Sequence, residues 1–141
     1  MIKKIVLSGL VIGLVNFLAS MIVSQIFKIV FPAVNAEYQN LNLFRAPADP
    51  LMMLFFLHSF LVGIILAWFW SKAKNSFGEN IMGGIKFGVF YWIIATIPGM
   101  FATYTSMPYS LEIVTSWLIG GLITAIIAGI ILVKINKTSN I

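Results

Sequence analysis

The stretch SWLIGGLITAIIAGI, residues 116–130, decides the fold of this chain. It contains no charged residue, and its side chains sort by size when they are placed about 100° apart around a helix. One side carries small residues: Ser116, Gly120, Thr124 and Ala128 in one row, and Gly121, Ala125 and Gly129 in a second. The opposite side carries Ile119, Leu122, Ile123, Ile126 and Ile130. Because helices in lipid associate through small residues, this pattern predicts a spanning helix with one contact face and one lipid face.

The composition of the whole chain agrees with this interpretation. Of its 141 residues, 60% are hydrophobic and 9% are charged, and the mean hydropathy is +1.02. A soluble domain carries about 25% charged residues. A membrane-spanning helix needs roughly 20 mostly apolar residues, and four stretches qualify, at about 5–31, 51–70, 83–104 and 110–133. The sequence therefore predicts an all-α polytopic membrane protein, with residues 1–141 forming a single four-helix transmembrane bundle.

Lysine placement predicts the orientation of these spans. Only Lys28 and Arg45 flank the spans on one side, whereas the other side carries Lys3, Lys4, Lys72, Lys74, Lys86, Lys134 and Lys137. Basic residues concentrate on the cytoplasmic side, so we expect a multi-pass protein of the cell membrane with both termini in the cytoplasm. A cleaved signal peptide, suggested by MIKK and by VNA at 34–36, is the competing interpretation. Its apolar core would be longer than the 7–15 residues that are typical of a signal peptide.

Small residues also mark the contact faces of the other three helices. Gly63 lies between Ser59 and Ala67 at four-residue spacing on the second helix, a repeat that permits close approach of backbones. The remaining glycines that we expect at helix contacts are Gly9 and Gly13 on the first helix, Gly84 and Gly88 on the third, and Gly120, Gly121 and Gly129 on the fourth.

Two polar residues lie near the middle of predicted spans. Asn16 lies near the middle of the first helix, on its glycine face, so we expect a hydrogen bond to a neighbouring helix or a contact with solute or water. His58, the only histidine, falls near the centre of the second span and points about 140° away from the Ser59/Gly63/Ala67 row. Because ionisable groups in membranes face protein or water, we expect another span or subunit to enclose His58. A structural hydrogen bond and a role with protons or substrate both remain open.

Three further features give expectations about the ends and shape of the bundle. Lys28 and Glu112 lie near the outer ends of their helices, and either extend to the interface, pair with each other, or line a vestibule with His58 and Tyr109 under the first loop. Pro98 lies inside the third span and predicts a kink, because proline cannot donate a backbone hydrogen bond. Trp68 and Trp70 suit the inner membrane interface.

The sequence contains little of the chemistry that enzymes use. One histidine and no cysteine do not supply an ordinary zinc site, and no nucleotide-binding or hydrolase motif is present. We therefore expect no catalytic residues, no metal, no cofactor and no nucleic-acid partner. The favoured interpretation is a non-enzymatic membrane module, accessory or self-associating, whose partners are the lipid bilayer and either further copies or a membrane partner protein. The alternative is a small homo-oligomeric channel or transporter for an ion or small solute.

Overall fold

A computed structural model describes residues 2–138, with side chains described as far as residue 136. The ends of the predicted domain, residues 1 and 139–141, lie outside the described residues, and so does the side chain of Lys137. The described chain consists of helices and loops: α1 (Ile2–Val30), α2 (Pro32–Tyr38), α3 (Met52–Phe77), α4 (Ile81–Tyr91), a π-helical segment (Trp92–Thr96), α5 (Ile97–Ser106) and α6 (Leu111–Thr138).

Four helical stretches are long and apolar enough to cross a membrane, namely Ile2–Val30, Met52–Phe77, Ile81–Ser106 and Leu111–Asn136. This confirms the predicted all-α four-helix bundle, and it fits a small multi-pass membrane protein. The largest difference from the predicted boundaries is at α3, which continues to Phe77 rather than ending near residue 70. Its polar last turns are stabilised by an ion pair between Lys74 and Glu79 at 2.7 Å, and the helix ends at Gly78, whose φ of 88° suits glycine.

Around the bundle, α3 lies beside α1, α1 lies beside α6, and α6 lies beside the third span, which consists of α4, the π-helical segment and α5. Sequence neighbours run antiparallel, so α1 begins and α6 ends at one end of the bundle, called here the terminal end. The opposite end, where α1 leads into α2 and α5 leads into α6, is called the loop end. The fourth side of the bundle is incomplete: α3 contacts α4, but no Cα atom of α3 lies within 8 Å of one in the π-helical segment or α5.

Glycines provide the closest contacts between neighbouring helices. A Cβ atom added to Gly63 would lie 2.7 Å from the backbone nitrogen of Gly13 and closer still to the carbonyl oxygen of Gly9. On the other side of the bundle, a Cβ on Gly88 would lie 2.7 Å from the carbonyl carbon of Ala125. The expected contact glycines of α1, α3 and α4 are therefore places where backbones meet directly, whereas Gly120 and Gly121 of α6 face side chains.

The core at the terminal end is built around Trp70 and Phe87, whose ring centroids lie 5.1 Å apart. Trp70 is fully buried, whereas Trp68 is about half exposed. The expected place of both at the inner membrane interface stays a prediction, because burial within the bundle does not fix depth in the bilayer.

Pro98 is accommodated by a change of helix type in the third span. The amide of Ile97 donates to the carbonyl of Trp92, five residues earlier, and thereby closes the π-helical segment just before Pro98. The indole nitrogen of Trp92 donates to the carbonyl oxygen of Leu118 at 2.8 Å, which ties this segment to α6. Such segments are frequent at functional sites in helical proteins.

The first connection is ordered and covers the loop end of α6. Within it, the Leu51 amide and the Arg45 guanidinium hydrogen-bond to Asp49 and hold the pKa of that carboxyl group below its usual value. The amide of Ser110 donates to the Glu37 carboxylate at 2.8 Å, and the Ser110 hydroxyl donates to its second oxygen. Beneath these contacts lies an aromatic cluster, the loop-end cluster, formed by Tyr38, Phe44, Tyr109 and Trp117 around buried Val34, Ile113 and Val114.

We expect Glu37→Gln to lower the free energy of unfolding by about 1–2 kcal/mol, because a charged acceptor at a helix N-terminus is replaced by a neutral one. Glu112→Gln is the matched control. It also removes one negative charge near the N-terminus of α6, but it breaks no hydrogen bond within the described chain. Thermal unfolding in detergent measures both. Equal melting temperatures for the two variants would contradict the importance of the Glu37–Ser110 contact.

Candidate functional site

The middle of the bundle contains a cleft that all four spans line. Its volume is about 290 Å³, at the lower limit of typical small-molecule sites. Its lining residues are Asn16 and Ser20 from α1, His58, Ser59, Val62 and Leu66 from α3, Tyr91, Ala95, Thr96 and Met100 from the third span, and Gly121, Thr124 and Ala125 from α6. This cleft lies where the contact between α3 and the third span is lost.

The cleft is lined by several polar side chains that the described chain leaves without hydrogen bonds. Thr124 is satisfied, because its hydroxyl donates to the carbonyl of Gly120 at 3.0 Å. The polar lining residues without a hydrogen-bond partner among residues 2–136 are Asn16, Ser20, His58, Ser59, Tyr91 and Thr96. An unsatisfied polar group in an apolar environment costs roughly 2–7 kcal/mol on transfer scales. The lining is therefore suited to water or to a ligand with hydrogen-bonding groups.

Asn16 is the most enclosed of these residues, with 8% of its surface exposed. Its Oδ1 atom is buried and has no hydrogen-bond partner among the described residues. The hydrogen bond to a neighbouring helix that the sequence predicts is therefore not formed within the described chain, and the side chain lines the cleft instead. A contact with solute or water is the remaining interpretation for this amide.

His58 lies on the wall formed by α3, beside Ser59, and is exposed in the isolated chain. Although α3 extends to Phe77, His58 lies level with the middle of α1, because a Cβ on Gly13 would meet the backbone of Phe60 where the two antiparallel helices cross. The residues that face it across the cleft belong to other spans, so it does not face lipid alone. It forms no described hydrogen bond, and the enclosure that we expect would need a ligand or another chain at the cleft.

The structure does not bring the other two candidate residues into this cleft. The Lys28 amino group lies 4.7 Å from the centre of the Tyr38 ring, in a cation–π contact. Glu112 is exposed on the first turn of α6, and the two ion pairs of the described chain include neither residue. Tyr109 packs in the loop-end cluster and donates to the Leu43 carbonyl at 3.4 Å. Lys28, Tyr109 and Glu112 therefore lie at the loop end, whereas His58 lines the cleft.

Sequence reasoning identified Asn16 and His58 but missed Ser20, Tyr91 and Thr124 as lining residues of one site. The four spans bring residues together that are more than 100 positions apart, and no local pattern predicts such a meeting. Thr96 and Pro98 gave a partial signal, since a proline in the middle of a span indicates a local break in regular helix geometry.

The charge of the lining limits its chemistry. No carboxylate, lysine or arginine lines the cleft, and the described residues contain no cluster of three or more histidine, aspartate or glutamate side chains that would hold a metal. What the cleft offers is hydroxyl, amide and imidazole groups, with no paired acid and base. No protein-family model, curated protein or solved structure matches this chain.

Proposed function

We propose that this chain is a non-enzymatic, multi-pass membrane protein that binds a small uncharged molecule in the cleft between its spans. The observation that supports this function best is the buried Oδ1 atom of Asn16, which has no partner among the described residues and lies in a cleft whose other polar side chains, except Thr124, also lack hydrogen bonds there. A purely packed bundle would bury apolar side chains here, because unsatisfied groups are costly in lipid. A bound molecule or water supplies the missing partners, as in a small transporter or receptor.

The absence of cysteine in the natural sequence makes a direct test simple. A single cysteine is introduced at Ser59, in the half-buried wall of the cleft, or at Ala128, which is fully buried in the core. Both variants are treated in membranes with N-ethylmaleimide, a small uncharged reagent. We expect Ser59→Cys to react at least tenfold faster than Ala128→Cys. Equal, slow reaction of both would show that the cleft does not admit small molecules.

Lysine placement supports a cytoplasmic location for both termini in the cell membrane. Described lysines at the terminal end include Lys3 and Lys4 at the start of α1 and Lys72 and Lys74 near the end of α3, and basic residues favour the cytoplasmic side. Reporter fusions at the two ends should both show a cytoplasmic location. An external location for either reporter would contradict this orientation.

Self-association, or attachment to a membrane partner protein, is a second candidate function. It is favoured by the exposure of His58 in the isolated chain, because a polar ring in the spanning region needs a protein or polar neighbour. Sedimentation of the purified protein in detergent measures the oligomeric state. A dimer that His58→Leu converts to a monomer would support association at the cleft, whereas a wild-type monomer favours ligand binding alone.

A further inference from the structure

We infer that the cleft is filled from within the bilayer, through the gap between α3 and α5, by an uncharged amphiphile with a hydroxyl or amide head group. This inference rests on the proposed function, and it adds the route of entry and the chemical class of the ligand. Three observations carry it: the cleft is closed towards the terminal end, its side between α3 and α5 has no helix contact, and its lining has hydrogen-bonding groups but no carboxylate, lysine or arginine among the described residues.

Apolar side chains close the cleft towards the terminal end of the bundle. The lining residue Leu66 belongs to the buried core that contains Trp70, Phe87 and Leu132. Towards the loop end, the lining residue Met100 packs against the loop-end cluster. A continuous aqueous path along the bundle axis would have to cross the packed core at the terminal end. The cleft is therefore a pocket within the bundle rather than a pore through it.

The side of the cleft between α3 and α5 has no such closure. The two helices have no Cα atoms within 8 Å of each other. The first turns of α3, residues 53–57, are five consecutive apolar residues that are all exposed. Five residues cover every side of a helix, so the side facing the gap is apolar. Phe101 and Ile97 of the opposing span are exposed as well. This gap is a suitable path for an alkyl chain and a poor path for an ion.

The lining then selects the head group. The buried Oδ1 atom of Asn16 requires a donor, which a hydroxyl or amide group supplies. Ser59 and Thr96 supply further hydroxyl groups that donate or accept. An ammonium head would meet no carboxylate of the described residues, and a carboxylate head would meet no lysine or arginine. An unpaired charge in an apolar environment is far more costly than a neutral polar group. A volume of about 290 Å³ accommodates the head and the first carbons, while the rest of the tail remains in lipid.

The route is tested with Ser59→Cys protein in liposomes and two thiol reagents that share a maleimide group. Pyrenyl maleimide dissolves in the bilayer, whereas a sulfonated maleimide is confined to water. We expect pyrenyl maleimide to modify Ser59→Cys at least tenfold faster than the sulfonated reagent does. The control for access from water is Asn40→Cys, at an exposed position in the first connection. The control for access from lipid is Ile123→Cys, at an exposed position on α6. Each should react with the corresponding reagent.

The ligand class is tested by competition with 1-dodecanol, an uncharged single-chain amphiphile with a hydroxyl head. Dodecanol should slow the modification of Ser59→Cys by pyrenyl maleimide at least threefold and leave that of Ile123→Cys unchanged. Adding Asn16→Leu to Ser59→Cys should abolish the protection. Dodecyltrimethylammonium, with the same chain and a cationic head, should protect less.

The outcomes separate this inference from the proposed function. Rapid modification of Ser59→Cys by the sulfonated maleimide would overturn entry from the bilayer and leave binding in the cleft intact. Equal protection by dodecanol and dodecyltrimethylammonium, or protection that survives Asn16→Leu, would overturn the assigned head group. If Ser59→Cys reacts with neither reagent nor with N-ethylmaleimide, the cleft is closed and both proposals fail.

Discussion

Gly63→Leu should disrupt the pairing of α1 with α3 and lower the free energy of unfolding by about 3 kcal/mol or more, at the upper end of overpacking effects. The added Cβ alone would lie 2.7 Å from the backbone nitrogen of Gly13. A clash with a flexible side chain is relieved by a change of rotamer, but a clash with backbone requires the helices to separate. The contact is also reciprocal, because a Cβ on Gly9 would lie 2.8 Å from the backbone nitrogen of Ile64.

Gly99→Leu is the matched control for this substitution. Gly99 is also in a helix, α5, but a Cβ added there meets no atom within 4 Å. Leucine has a better helix propensity than glycine by roughly 0.5–1 kcal/mol, so this variant should be as stable as the wild type or slightly more stable. Thermal unfolding in detergent, followed by circular dichroism, compares the two. Equal melting temperatures for Gly63→Leu and Gly99→Leu would contradict the close crossing of α1 and α3.

Gly129→Leu should have an effect of similar size on the other pair of helices, again about 3 kcal/mol. A Cβ on Gly129 would lie 2.8 Å from the carbonyl carbon of Gly84, and the carbonyl oxygen of Gly84 is closer. The Gly63 and Gly129 contacts share no residue, so the losses measured for Gly63→Leu and Gly129→Leu should be nearly additive in the double variant.

Gly120→Leu provides the comparison within the same helix. The nearest atom to a Cβ on Gly120 is Cγ1 of the Val23 side chain, at 3.3 Å, and that side chain has freedom to move. We therefore expect Gly120→Leu to cost less than half as much stability as Gly129→Leu. A larger loss for Gly120→Leu would show that the contact between α1 and α6 is tighter than the contact between α4 and α6.

The fold was predictable because its causes are local. Apolar stretches of sufficient length define the four spans, and glycines at four-residue spacing mark the faces at which backbones meet, as Gly9, Gly13 and Gly63 illustrate. The exact tightness of each contact was not predictable, since Gly120 and Gly129 look equivalent in sequence. It depends on which helix lies opposite each position and at what distance.

The cleft was less predictable because it results from a contact that is absent. Asn16 was identified from its polarity, but its expected hydrogen bond presumed a neighbour that the diverging spans do not provide. The length of α3 was underestimated because its last turns, residues 71–77, are polar, although they form regular helix. Hydropathy measures what lipid accepts, whereas helix length also depends on capping and ion pairs.

The unequal tightness of the helix contacts has a mechanical consequence. Backbone contacts hold α1 to α3 through Gly63 and hold α4 to α6 through Gly129, so we expect each of these two helix pairs to move as a rigid unit. The two pairs meet along α1 and α6, where side chains such as Val23 lie between the backbones near the loop end. The motion that costs least energy is then a hinge rotation of one pair relative to the other about this contact, which changes the width of the open side most and the packing within each pair least.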